Sequence, residues 1–170
     1  RVTKVIAMDC EFVGVGEDGV ESILARASLV NSHGHCVYDK FVKATEPVTD
    51  YRTAVSGVRE EDMLRGEEFS VVQQEVADLI KGKLLVGHAI MNDLKVLFLG
   101  HPKKMIRDTA RFKLFKKACG SQRPSLKKLS DKVLKVKVQT GEHSSIEDAQ
   151  AAMRLYTMYR QKWEKEIKMK

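Results

Sequence analysis

Two carboxylates stand two residues apart in the first apolar run of the chain, Asp9 and Glu11, between Val5-Ile6-Ala7-Met8 and Phe12-Val13. Side chains two apart on a strand share a face. Acids held side by side repel each other and resist burial, so something positive must neutralise them: an Arg or Lys, a proton or a metal ion. Asp93 follows KLLVGHAIMN at the opening of a helix, and Asp148 falls in the first turns of the last helix. An acid at either position also serves simply to complement a helix dipole. Together, however, the four acids put two on a strand and one near the start of each of two helices. Hard oxygen donors of this kind suit Mg²⁺ or Mn²⁺ rather than zinc. Two such ions a few ångströms apart would stabilise the attacking and leaving oxygens of a phosphodiester displacement.

A base is available in His143, five residues before Asp148 in the stretch Gly141-Glu142-His143-Ser144-Ser145. An imidazole on a loop loosened by Gly141 is suited to accepting a water proton near neutrality. Ser144 or Ser145 is a candidate cap for the helix that follows. His88 stands at the same distance before Asp93, so spacing alone does not choose between the two histidines. Because His88 follows the apolar Leu84-Leu85-Val86, it reads as a hydrogen-bonded structural residue, and His143 is the favoured base.

The elements that must carry these residues begin with KVIAMDCEFV, SILARASLVN and CVYDKFVKA, three strands in a meander separated by turns. Phe69, Val72, Val76, Leu79 and Ile80 fall at helical spacing. KLLVGH is a short buried strand leading into a helix through Leu99, and MIRDT is another short strand. Basic helices are expected around Ala110–Ala118 and Ser125–Leu134, and a long last helix from about Ser145 to Trp163. Strands followed by strands interleaved with helices imply an α/β domain with a mixed sheet. One motif misleads. Gly14-Val15-Gly16-Glu17-Asp18-Gly19 matches the GxGxxG dinucleotide fingerprint to the letter. That site requires a helix after the loop to receive the pyrophosphate. Here a strand pattern follows, two acids occupy the loop, and Asp18-Gly19 reads as a hairpin turn.

The chain has 170 residues, 43% hydrophobic and 31% charged, which suits one domain with a real core. It begins at Arg1 rather than Met, which reads as a domain taken from a longer chain whose targeting signals would lie outside it. No apolar run is long enough to span a membrane. Cys10, Cys36 and Cys119 form no CxxC pair, so neither a disulfide framework nor a zinc module is supported, and a reducing setting is expected. The net charge of +7 is uneven: His101 to Lys137 carries 13 Lys and Arg against only Asp108 and Asp131. The remainder is net acidic. A basic segment beside an acidic body fits a polyanionic partner, and equally a solvated Lys-rich surface.

MDCE, GHAIMNDL and EHSSIED resemble, in chain order, the three motifs of the DEDDh 3′→5′ exonucleases. TDYRTAVSGV (49–58), IRDT (106–109) and RPSLKKLS (123–130), with AMDCEFVGVG and DAQAAMRLY, narrow the resemblance to an RNA-exonuclease branch of that family, over roughly Val5 to Trp163. The resemblance implies an RNase H-like α/β fold. Its mixed five-stranded sheet has a three-strand antiparallel meander plus parallel strands, is flanked by helices, and forms a single domain over residues 1–170. It implies hydrolysis of single-stranded RNA, with DNA as an alternative, from the 3′ end to release 5′-mononucleotides. Asp9, Glu11 and Asp148 would hold one Mg²⁺ or Mn²⁺ ion, Asp9 and Asp93 the second, and His143 would deprotonate the attacking water. Phe12 would meet the 3′ end and Arg52 a phosphate. Leu94 would wedge against the terminal bases or simply pack in its helix. Ser145 stands where many members carry Ala, a small change, and Asn92-Asp93 replaces a commoner Phe-Asp. A monomer, no membrane partner, and a nuclear or nucleolar role in RNA processing follow from the same resemblance. Two other readings stay open on this fold, a non-catalytic nucleic-acid-binding module and an endonuclease. The basic segment is expected at the mouth of the cleft.

Overall fold

The computed structural model describes residues 1–137, 141–142 and 144–170. Six strands form one sheet: β1 (Val5–Val15), β2 (Glu21–Val30), β3 (Cys36–Phe41), β4 (Val48–Asp50), β5 (Leu84–Gly87) and β6 (Ile106–Asp108). The order is β3-β2-β1-β5-β6, with β4 against the far end of β1. β1, β2 and β3 pair antiparallel, whereas β5 and β6 run parallel to β1. The mixed sheet expected from the sequence is therefore present, with one strand more than the five expected. β4 escaped notice because only three residues, VTD, make it, too few for an alternating pattern.

Helices cover both faces. α1 (Thr53–Ser56), α2 (Glu60–Leu64), α3 (Phe69–Ile80) and α4 (Ile90–Val96) precede α5 (Lys113–Cys119), α6 (Leu126–Leu129) and the long α7 (Ser145–Lys168). The alternation of β1 sorts its side chains between two cores. Ile6, Met8 and Cys10 pack with Val72 and Val76 of α3 and Ile90 and Leu94 of α4. Ala7 packs on the opposite face with Ala149, Ala152 and Leu155 of α7 and with Phe115 of α5. Asp9 and Glu11 continue this second register, so they leave β1 on the side that α7 covers. Trp163 closes that core by stacking on Phe112, ring centroids 4.2 Å apart.

Helix boundaries shift for local reasons. The helix expected from Ala110 starts at Lys113 because the Asp108 carboxylate and carbonyl hold the N–H groups of Ala110 and Arg111 in a turn. The helix expected over Ser125–Leu134 is a single α turn, capped where Ser125 Oγ accepts the Lys128 N–H at 3.0 Å, followed by a wider π turn at Ser130–Leu134. α7 runs on to Lys168, five residues past the expected end at Trp163. Ser144 occupies its N-cap, but neither serine side chain caps the helix. The GxGxxG segment is a hairpin: a 3₁₀ turn at Glu17–Gly19 delivers the chain into β2, and no helix follows. A Cβ on Gly14 would collide with the Gly19 carbonyl, so this glycine serves a tight turn. Among the described residues no helix is long and apolar enough to cross a membrane.

Candidate active site

Asp9 and Glu11 from β1, Asp93 from the first turn of α4 and Asp148 from the first turn of α7 line one cleft of about 360 Å³. One carboxylate oxygen from each of Asp9, Glu11 and Asp148 lies within 4.8 Å of the other two. Asp93 reaches the group from the opposite layer, where the neighbouring Cys10 backbone and thiol partly offset the cost of its charge. Cys10 is itself buried and lines the cleft between these acids.

These acids are costly as they stand. Burial raises the Asp9 pKa well above the usual carboxylate range, and the neighbouring charges of Asp93, Asp148 and Glu11 raise it further. Burial, then Asp148, pushes Glu11 up to about 8, against a partial offset from Arg26. Asp93 is raised chiefly by burial. Glu11 Oε2 and Asp93 Oδ2 are buried with no hydrogen-bond partner. A buried carboxylate oxygen without a partner carries a desolvation cost that a cation would remove. The donor set is all oxygen, and the residues present fit hard divalent ions.

Arg26 is a charged neighbour of the site that the sequence motifs do not include. It pairs with Glu11 across β1 and β2, and its guanidinium makes two bonds of 2.8 and 2.9 Å to Asp39. Its signal was an arginine inside the apolar run SILARASLV. Already committed to Asp39, it softens the field at Glu11 without cancelling it.

His143 lies outside the described residues, as do residues 138–140. His88 lines the cleft, but both its ring nitrogens are engaged: Nε2 with the Pro124 carbonyl and Nδ1 with the Thr109 hydroxyl, each at 2.8 Å. The bond to a carbonyl requires Nε2 to donate, and burial lowers the pKa of the ring, so His88 is a neutral structural residue. Phe12 is half-buried and lines the cleft beside the acids. Arg52 lines the same cleft, and its guanidinium is engaged with the β1–β2 hairpin. Nη1 donates to Ser22 Oγ at 2.9 Å and Nη2 to the Gly19 carbonyl at 2.8 Å, which pins the β1–β2 hairpin. Arg52 is thus a clamp on the hairpin as well as a lining residue of the cleft. Leu94 is 1% exposed in the core between α4 and the sheet, so packing accounts for it and no wedge projects into the cleft.

The exonuclease (RNase T) family model matches residues 6–156. RNA exonuclease 4 of Xenopus laevis is 65% identical over 169 residues, 99% of this chain and 40% of that protein. RNA exonuclease 4 of Homo sapiens is 63% identical over 163 residues, 96% of this chain and 39% of that protein. The chain thus spans about 40% of the length of these curated relatives. Among solved structures, the Saccharomyces cerevisiae Pan2 pseudoubiquitin hydrolase–RNA exonuclease module in complex with AAUUAA RNA superposes with a TM-score of 0.81. It is 29% identical, over 94% of this chain and 29% of that one. The Neurospora crassa Pan2 catalytic unit (protease and nuclease domain) gives 0.80 at 28% identity, over 92% of this chain and 27% of that one.

Proposed function

The chain belongs to the exonuclease family, and on that premise we propose that it hydrolyses single-stranded RNA from the 3′ end, releasing 5′-mononucleotides. The observation that carries the reading is the convergence of four acids from three elements, two of them with buried, unpartnered oxygens. Asp9, Glu11 and Asp148 would hold one Mg²⁺ or Mn²⁺ ion and Asp9 with Asp93 a second; when bound, such ions offset the acids and stabilise charge on the attacking and leaving oxygens. Phe12 offers the terminal nucleotide an apolar wall beside the acids. His143, covalently close to α7, takes the proton of the attacking water. Ser125 and Leu126 form another wall of the cleft, and the exposed Lys127 and Lys128 that follow them hold the strand by its phosphates. Support for RNA comes from the exonuclease 4 relatives and from the Pan2 module seen with RNA. A nuclear or nucleolar role in RNA processing belongs to the same proposal.

The test is a 5′-labelled single strand incubated with purified protein and Mg²⁺ or Mn²⁺. The expected product is a ladder shortening from the 3′ end, lost with EDTA and in Asp9→Asn. Internal fragments without a ladder would favour an endonuclease. Tight binding without cleavage would favour a binding module.

A further inference from the structure

We propose that Asp108, the acid of the IRDT segment, is a positioning residue for Asp93, acting through the backbone at the start of α4. Asp108 ends β6 in register with Gly87 of β5 and is 8% exposed. Its carboxylate accepts three backbone N–H groups: Oδ1 from Ala89 and Ala110, each at 2.9 Å, and Oδ2 from Ile90 at 3.3 Å. The first N–H groups of a helix have no partner within it, and no side chain from the N-cap of α4 supplies one. Ala89, that N-cap residue, sits at φ 53°, ψ 45°. This left-handed conformation disfavours a residue with a Cβ and persists only where its surroundings hold it.

The approach from β5 is equally tight, since a Cβ on Gly87 would run into the Ile90 side chain. Asp93 lies one helical turn beyond Ile90, so fixing the Ala89 and Ile90 amides fixes the rotation of α4 that aims Asp93 into the cleft. Thr109 extends the brace. Its hydroxyl meets His88, and His88 in turn holds the Pro124 carbonyl just before the cleft wall at Ser125 and Leu126. The IRDT segment thus ties two walls of the site to the sheet edge. A plain helix cap would stabilise α4 without affecting metal binding, and this difference decides the test.

Three measurements are made on the full chain. In the wild-type protein without RNA, adding Mg²⁺ is expected to slow hydrogen exchange at Ala89 and Ile90 more than in α3. Linkage requires this if the brace and the ion favour the same arrangement. In Asp108→Asn, an amide replaces a carboxylate oxygen against an N–H donor. Exchange at Ala89 and Ile90 is expected to quicken, and Mn²⁺ titration without RNA is expected to show the weaker ion bound about 10- to 100-fold less tightly, with the affinity for the tighter one retained. On labelled RNA, kcat is expected to fall by a similar factor with KM unchanged, and Asp108→Ala to go further in the same direction. An Asn variant with quickened exchange but wild-type Mn²⁺ affinity would make Asp108 a cap only and overturn the proposal. Mg²⁺-insensitive exchange in the wild type would overturn it whether or not the variant folds. The activity arm alone rests on the exonuclease reading. A wild-type protein inert on RNA would sink that reading while the exchange and Mn²⁺ arms still decide Asp108.

Discussion

Asp9 and Glu11 sit beside acids that raise the cost of ionising them, and this has a consequence for folding as a function of pH. Glu11, ordinarily near 4.5, is pushed up to about 8 in the folded chain. Between those values the folded state keeps a proton that the unfolded state has released, so stability falls as pH rises through the window. His88 works the other way, because its lowered pKa costs stability only as pH drops below its ordinary 6.5. The clean interval is therefore pH 6.5 to 8. In EDTA the melting temperature is expected to fall across it, less steeply in Glu11→Gln, and Mn²⁺ should restore the loss by binding only the folded state. A flat profile in EDTA would contradict the electrostatics of the site. His143→Ala is expected to slow single-turnover RNA hydrolysis by about two to four decades, the range for a lost general base. Near-wild-type turnover would remove His143 from its role. The pairing of Asp9 with Glu11 was legible because strand periodicity alone puts them on one face. Arg52 was not. Its partners are carbonyl groups and a serine hydroxyl of a hairpin some 30 residues earlier, which no local pattern announces.

Among the elements, α7 does most to hold the site, because it carries Asp148 and closes the core beneath Asp9 and Glu11. Ser145, in its first turn, is fully buried and donates to Ser28 Oγ at 2.6 Å, while the Ser28 hydroxyl donates to Asp39 Oδ1 at 2.7 Å. Asp39 is also the partner of Arg26, so this chain of bonds links the start of α7 to the cation facing Glu11. Ser145→Ala is expected to cost about 1 kcal/mol in denaturant unfolding, the usual net worth of one hydrogen bond, and to leave RNA turnover close to wild type. Trp163→Ala, at the other end of the helix, is expected to cost about 3–5 kcal/mol by opening a cavity against Phe112. Unfolding midpoints of the two variants, compared with their rates below those midpoints, separate packing from chemistry. The sequence showed where α3 and α7 lie because their apolar stripes are long. It misplaced the start of α5 because the competing bonds come from Asp108, which the helix pattern does not include.

Over the whole molecule, the charge arithmetic described two regions but not their relative placement. The fold brings the basic segment to the cleft at Ser125 and Leu126, although Asp93 and Asp148 come from elsewhere in the chain. The double reversal Lys127→Glu with Lys128→Glu is expected to weaken binding of single-stranded RNA. It should also flatten the salt dependence by about 0.7 in log–log slope for each phosphate no longer neutralised. Unchanged binding would make those lysines a solvated surface. The central claim, that these four acids shorten RNA only from an end, is tested most directly with linear and circular RNA of the same sequence in Mn²⁺. The linear strand should be reduced to 5′-mononucleotides and the circle left intact, with neither touched by Asp9→Asn. An opened circle, or an intact linear strand, would contradict the account.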